Sequence, residues 1–201
     1  GLGDVYKRQK DNSCIEHIIP ITTDNDGGFD TEETLFFEAC SPRKVGDTYY
    51  LIYSPKRGSR LAYATSDKPT GPFKYRGYIV DNGVDYPGGN DHGSIAQING
   101  KWYIFYHRMT NGTIMSRRAC VEKIEILPDG TIPPVEMTSL GFEDSLDPYR
   151  ITEAEIACVL KGGAFVTEHN KFERVVTGIK DGAVKAINTT ISGLTTATAE
   201  C

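Results

Sequence analysis

Glu38 is the residue of this chain whose neighbours best suit proton transfer. It directly follows Phe36 and Phe37 and precedes a polar turn, Pro42, Arg43, Lys44, Gly46 and Asp47, that leads into an aromatic strand at 49–53. A carboxylate behind an apolar pair at a strand end is expected to lose water, which disfavours its ionised form and lifts its pKa towards the range of a general acid. The alternative is a solvated carboxylate on the rim of the strand. His92 ends a glycine-rich loop, DNGVDYPGGND, and enters a strand beside Gly93 and Ser94. A histidine so placed is either a core or capping residue or a metal ligand. Arg117 and Arg118 open a later strand; a planar fork of donors suits sugar hydroxyls or a nearby carboxylate, and a strand-end surface arginine is the other reading. Asp24, Asp26 and Asp30 alternate as calcium ligands do. Without flanking helices or a terminal bidentate Glu they read as a solvated acidic loop.

These side chains need a frame, and the composition describes one. The 201 residues are 39% hydrophobic and 24% charged, which is the globular range and enough for one sizeable core. The net charge is −5 and the pI about 5.4, so no basic field exists to hold a nucleic acid or an anionic membrane surface. Glycines, prolines and tyrosines alternate along the chain with short β-branched and aromatic runs, the texture of many short strands and turns. The fold class is all-β. Five cysteines, widely spaced and never as C-x-x-C, support neither a zinc site nor a disulfide framework. No apolar run is long enough for a membrane span.

The strands repeat. VGDTYYLIYS, RLAYATSD, the turn KPTGPF and YRGYIV form one unit; INGKWYIFYHR, MSRRACVEKIEIL and the turn PDGTI begin another. Each reads as turn, aromatic strand, second strand, turn, third strand. Gly46 and Gly100, which open them, lie on the order of fifty residues apart, a period that suits β-propeller blades. A β-sandwich with two similar hairpins is the alternative.

Four motifs in order, FFEACSPRKVGDTYYLIYS, LAYATSDKPTGPFKYRG, GNDHGSIAQINGKWYIFYHR and RRACVEKIEILPDGTI, resemble the later blades of the five-bladed propeller of glycoside hydrolase family 43, over residues 15–135. The resemblance implies hydrolysis of O-glycosidic bonds in plant cell-wall polysaccharide, by an α-L-arabinofuranosidase or β-xylosidase that inverts configuration. It implies that Glu38 is the general acid and that Phe37 and Arg118, with Arg117 as its alternative, contact the sugar. His92 would lie near the propeller axis beside a bound calcium or sodium ion. The implied partner is a polysaccharide or oligosaccharide; the chemistry is expected to require no cofactor, and calcium would serve a structural role only. Inversion needs a second carboxylate about 6.5 to 9.5 Å from the acid to activate water. In the family this base and a further Asp that tunes the acid belong to the first two blades, upstream of residue 10 here. Asp147-Pro148 resembles the base motif but lies beyond the propeller, and is rejected. A carbohydrate-binding propeller without a base is the competing function, and the chain by itself is expected to be inert.

Residues 1–9, GLGDVYKRQ, resemble a translated sequencing-adaptor remnant and are set aside as non-native. Residues 10–135 form the partial propeller and 136–149, acidic and proline-bearing, a linker. Residues 150–201 resemble the opening strands of a family 6 carbohydrate-binding module, a β-sandwich, in which Glu153 and Glu155 would contribute to a structural calcium site. The tail after 184 is expected to be frameshifted. Residues 186–193 can be encoded by codons that, read two bases on, give the aromatic strand Asn-Lys-Tyr-Tyr-Asp-Phe-Gly, whereas the tail as written has no aromatic to bury.

Overall fold

The computed structural model describes residues 34–84, 91–110 and 113–180, together with short strands beyond 184. The readings placed on residues 1–33, including the adaptor-like start and the loop of Asp24, Asp26 and Asp30, lie outside the described residues.

Two antiparallel sheets carry the site. The first is a four-stranded meander of β1 (Phe36–Val45), β2 (Thr48–Pro55), β3 (Arg60–Ser66) and β4 (Lys74–Asp81), in that spatial order. The second is a three-stranded meander of β5 (Gly93–Ile98), β6 (Lys101–Thr110) and β7 (Thr113–Ile124). The period of two in the sequence explains how they stack. On β2, Tyr50 and Ile52 join one buried cluster while Leu51 and Tyr53 join another on the opposite face. Leu61 and Tyr63 against Ala62 and Ala64 repeat the division on β3. Successive side chains of a strand point to opposite faces, so this sheet is covered on both sides. The first of these clusters also contains Ile95, Ile104, Tyr106 and Ile124 of the second sheet. The two sheets therefore pack face to face, as neighbouring blades do.

Three details differ from the sequence reading. Pro42, Arg43 and Lys44, expected in a turn, are paired in β1 with Leu51, Tyr50 and Tyr49, and the turn shrinks to Gly46 and Asp47. The reason is position: among the described strands β1 pairs only with β2, and an edge strand loses no ladder bond at a proline. The repeat also begins one strand earlier than expected, since β1 and β5 each precede the aromatic strand of their sheet. After the turn of the second unit no third strand forms. Residues 132–135 cross back to the first sheet instead, where the Ile132 N–H donates to the Tyr63 hydroxyl at 2.8 Å and the Val135 N–H to the Ile79 carbonyl at 2.9 Å.

From there the chain stays against the second sheet. The N–H and hydroxyl of Thr138 both donate to the Glu122 carboxylate, at 2.7 and 2.6 Å. Phe142 lies edge-on to Tyr103 at 5.2 Å, and Lys101 and Lys123 both pair with Asp144. Beyond a 3-10 turn, Ala154–Ile156, the Cys158 N–H donates to the Ser139 hydroxyl, and Cys158 and Val159 enter the cluster between the sheets. The remaining strands are short. β8 (Val159–Leu160) pairs with β11 (Val184–Ala186), β9 (Phe165–Glu168) with β10 (Arg174–Thr177), β12 (Thr190–Ile191) with β13 (Leu194–Thr195), and β14 (Ala199–Glu200) with β11.

Candidate active site

Glu38 stands at the start of β1 in an irregular stretch of strand. The pairing with β2 slips between Phe36 and Glu38 and again between Glu38 and Ser41, and Ala39 has a φ of 62°. Such bulges re-aim a side chain out of the regular pleat. His92 occupies the matching place at the head of the other sheet, directly before β5. β1 and β5 are edge strands of sheets that pack face to face, and they contact each other. Their leading residues therefore meet: His92 Nε2 lies 3.3 Å from Glu38 Oε1.

The fold does not supply the desolvation expected at Glu38. The Glu38 side chain is 39% exposed and that of His92 41%. Phe36 turns onto Tyr53, with ring centroids 5.9 Å apart, and Phe37 remains exposed. A buried carboxyl does lie close by, that of Asp91, one residue before His92 and wholly inaccessible. Burial pushes it up to about 8, and the backbone N–H groups of His107 and His92 and the Arg117 cation offset this only in part.

An open depression of about 420 Å³ adjoins His92, with Ser94, Phe105, His107, Arg117 and Arg118 among its lining. Both arginines of the sequence reading thus reach it, from opposite faces of β7. Arg118 sits opposite Arg108 in register and is half-buried; Arg117 sits opposite Met109, is exposed, and donates through Nε to the Ile114 carbonyl at 3.4 Å. Exposed donors beside a carboxyl and an imidazole suit a polyhydroxylated ligand, which offers both donors and acceptors.

Glu153 precedes the 3-10 turn at Ala154–Ile156 as its N-cap and Glu155 lies within it; neither is gathered with His92 into a metal-holding group. Among the described residues no group of three or more His, Cys, Asp or Glu side chains is arranged to hold a metal ion. Calcium takes six to eight oxygen ligands, so these residues alone do not build its site. Sequence reasoning missed Asp91, Ser54 and His107. Asp91 reads as part of a loop, and the other two are polar positions within strands, where only the meeting of two sheets reveals a use.

No protein-family model matches the chain. It is 50% identical over 176 residues to a xylosidase/arabinosidase of Thermoclostridium stercorarium, covering 77% of this chain and 37% of that protein. Among solved structures it resembles a GH43 β-xylosidase/α-arabinofuranosidase from a compost microbial metagenome, in complex with xylotriose, at a TM-score of 0.50 and 36% identity over 56% of this chain and 35% of that one. The fold is that of glycoside hydrolase family 43. A GH43_1 enzyme from Xanthomonas citri matches it at a TM-score of 0.51 and 30% identity, over 62% of this chain and 38% of that enzyme. The chain spans about a third of the length of the curated relatives it matches. Within the family 43 fold the two described sheets are propeller blades, and Glu38 and His92 stand at the leading ends of their edge strands.

Proposed function

We propose that this chain is the acid-bearing part of a larger glycoside hydrolase that cleaves arabinose or xylose units from plant cell-wall polysaccharide such as arabinoxylan, arabinan or xylan. The observation that carries this is the contact of Glu38 with His92 at 3.3 Å beside an open, arginine-lined depression, in a chain half identical to a xylosidase/arabinosidase. In this reading Glu38 protonates the departing glycosidic oxygen. Phe37, exposed beside it, offers a face to the sugar ring, and Arg118 and Arg117 hold hydroxyls. Water is activated on the opposite face of the sugar by a carboxylate from the rest of the full-length protein, and the configuration inverts. Residues 10–135 belong to the five-bladed propeller. Residues 136–149 lie against the second blade and connect it to the short strands from 150 onward, which begin a carbohydrate-binding β-sandwich.

The test is Glu38→Gln in the full-length protein. Proton donation matters for a poor leaving group and hardly at all for an activated aryl glycoside, so kcat on arabinoxylan oligosaccharides should fall by about 10² to 10⁴-fold while nitrophenyl glycosides lose far less. An equal loss on both substrates would remove Glu38 from the role of acid. Binding of xylan oligosaccharides with no turnover by the full-length wild-type protein would make the propeller a carbohydrate binder instead.

A further inference from the structure

His92 reaches Glu38 because two side chains from different blades catch the backbone just ahead of its ring. The Asp91 N–H donates to Ser54 Oγ at 3.3 Å, and the next N–H, that of His92, donates to His107 Nδ1 at 3.2 Å. Ser54 is the cross-strand partner of Glu38 and is wholly buried. The residue opposite the carboxylate on β2 therefore also grips the segment that presents the imidazole to that carboxylate. His107 lies on β6, and its carbonyl accepts from Asn82 Nδ2 at 2.7 Å at the end of the first blade. The His107 ring stands edge-on to the His92 ring at 5.3 Å. With Nδ1 accepting, the neutral His107 ring carries its proton on Nε2.

We infer that Ser54 and His107 are positioning residues for proton transfer, a two-blade clamp on consecutive backbone N–H groups that sets the His92 imidazole against the Glu38 carboxyl. This rests on the reading of Glu38 as the acid. Water does not replace the Ser54 acceptor, because both Ser54 and Asp91 are inaccessible, so removing it leaves a buried N–H unpaired and free to move the segment. Displacements of about 1 Å at a reacting group can cost about 10²-fold in rate.

The experiment uses the full-length protein with Ser54→Ala, His107→Leu and His107→Asn, each alone and combined with Glu38→Gln, on xylan or arabinoxylan oligosaccharides and on nitrophenyl glycosides. Ser54→Ala and His107→Leu should each lower kcat on the oligosaccharide about tenfold, leave KM within about twofold and spare the nitrophenyl substrate. His107→Asn, whose Oδ1 can accept in place of Nδ1, should recover most of the loss. In the Glu38→Gln background neither Ser54→Ala nor His107→Leu should reduce the rate further. Losses equal on both substrates, losses confined to KM, or losses that simply multiply with that of Glu38→Gln would overturn the clamp. If Glu38→Gln alone shows no dependence on leaving group, the acid assignment fails, and multiplication or its absence still decides whether Ser54 and His107 act through Glu38.

Discussion

Ala39 adopts a left-handed backbone, φ 62°, immediately behind Glu38. An L-residue with a β-carbon pays about 1 to 2 kcal/mol in this region, and such conformations persist where the surroundings over-determine them, often at functional sites. Ala39 lies within the second of two slips of register that bracket Glu38. The bulge is therefore held by the pairing of β1 with β2 on either side, and its effect is to turn the Glu38 side chain towards β5.

Ala39→Gly and Ala39→Val should separate conformation from side-chain contact. Glycine adopts this φ freely but adds entropy to the unfolded chain, so the net change in stability should stay within about 1 kcal/mol, with kcat within about threefold. Valine cannot enter the region without greater strain. It should lower the melting temperature and reduce kcat on poor leaving groups by at least about tenfold. A valine variant matching the wild type in both measurements would mean that the bulge does not hold Glu38 in place.

Gly93 marks the other half of the site, one residue after His92. A β-carbon there would lie 2.4 Å from Leu61 Cδ2 and 2.6 Å from the Phe105 carbonyl oxygen. The leucine tip could yield, but the carbonyl belongs to the β6 backbone beside β5 and could not. Gly93→Ala is expected to destabilise by about 1 to 3 kcal/mol, the usual cost of overpacking, read as a lower urea midpoint at unchanged slope. Wild-type stability in this variant would show that β5 can shift away from the β6 backbone more easily than their packing indicates.

The aromatic strands were legible because they rest on local pattern. So was the Asn99-Gly100 turn, where φ values of 50° and 79° suit those two residues. What failed to show in the sequence depends on the surroundings of a residue. Pro42 to Lys44 have the composition of a turn, and only their place on an edge strand allows pairing. The phenylalanines before Glu38 suggested desolvation, yet one turns onto Tyr53 and the other faces solvent. Ile132, Met137, Ala157, Cys158 and Val159 are buried but follow no period of two, so the stretch from 132 to 159 gave no sign of entering a core.

Glu122 should give stability a pH dependence. It is nearly inaccessible, accepts from the Tyr106 hydroxyl and from Thr138 twice, and burial raises its pKa despite those hydrogen bonds and the Arg108 cation. A carboxyl raised in the folded state binds its proton more tightly there than in the unfolded chain. Stability from this group is therefore greatest at low pH and declines as pH rises from the ordinary carboxylate value through the raised one. Glu122→Gln keeps an acceptor for Tyr106 and the Thr138 N–H and can donate to the Thr138 hydroxyl. Melting curves from pH 4 to 7 should fall less steeply for the variant than for the wild type, and parallel curves would rule out Glu122 as the source.

Arg108 and Ala157 tie the later segment to the second blade. The Arg108 guanidinium, buried on β6, donates to the Ala157 carbonyl, and the next two residues, Cys158 and Val159, pack with Ile104 and Tyr63 in the cluster between the blades. If this segment merely trailed the propeller on a tether, loosening it would leave the blades unchanged. The packing predicts otherwise. Val159→Ala removes two buried methyl groups and should cost about 1 to 3 kcal/mol, and Arg108→Met leaves a buried carbonyl unpaired at a cost of about 1 to 3 kcal/mol. Both losses should appear in the transition reported by Trp102, a residue of the second blade packed against the same cluster, and that transition should shift as a whole. Tryptophan fluorescence that unfolds at the wild-type midpoint in both variants, with a separate earlier transition seen by circular dichroism, would show that the segment after 149 melts independently of the blades.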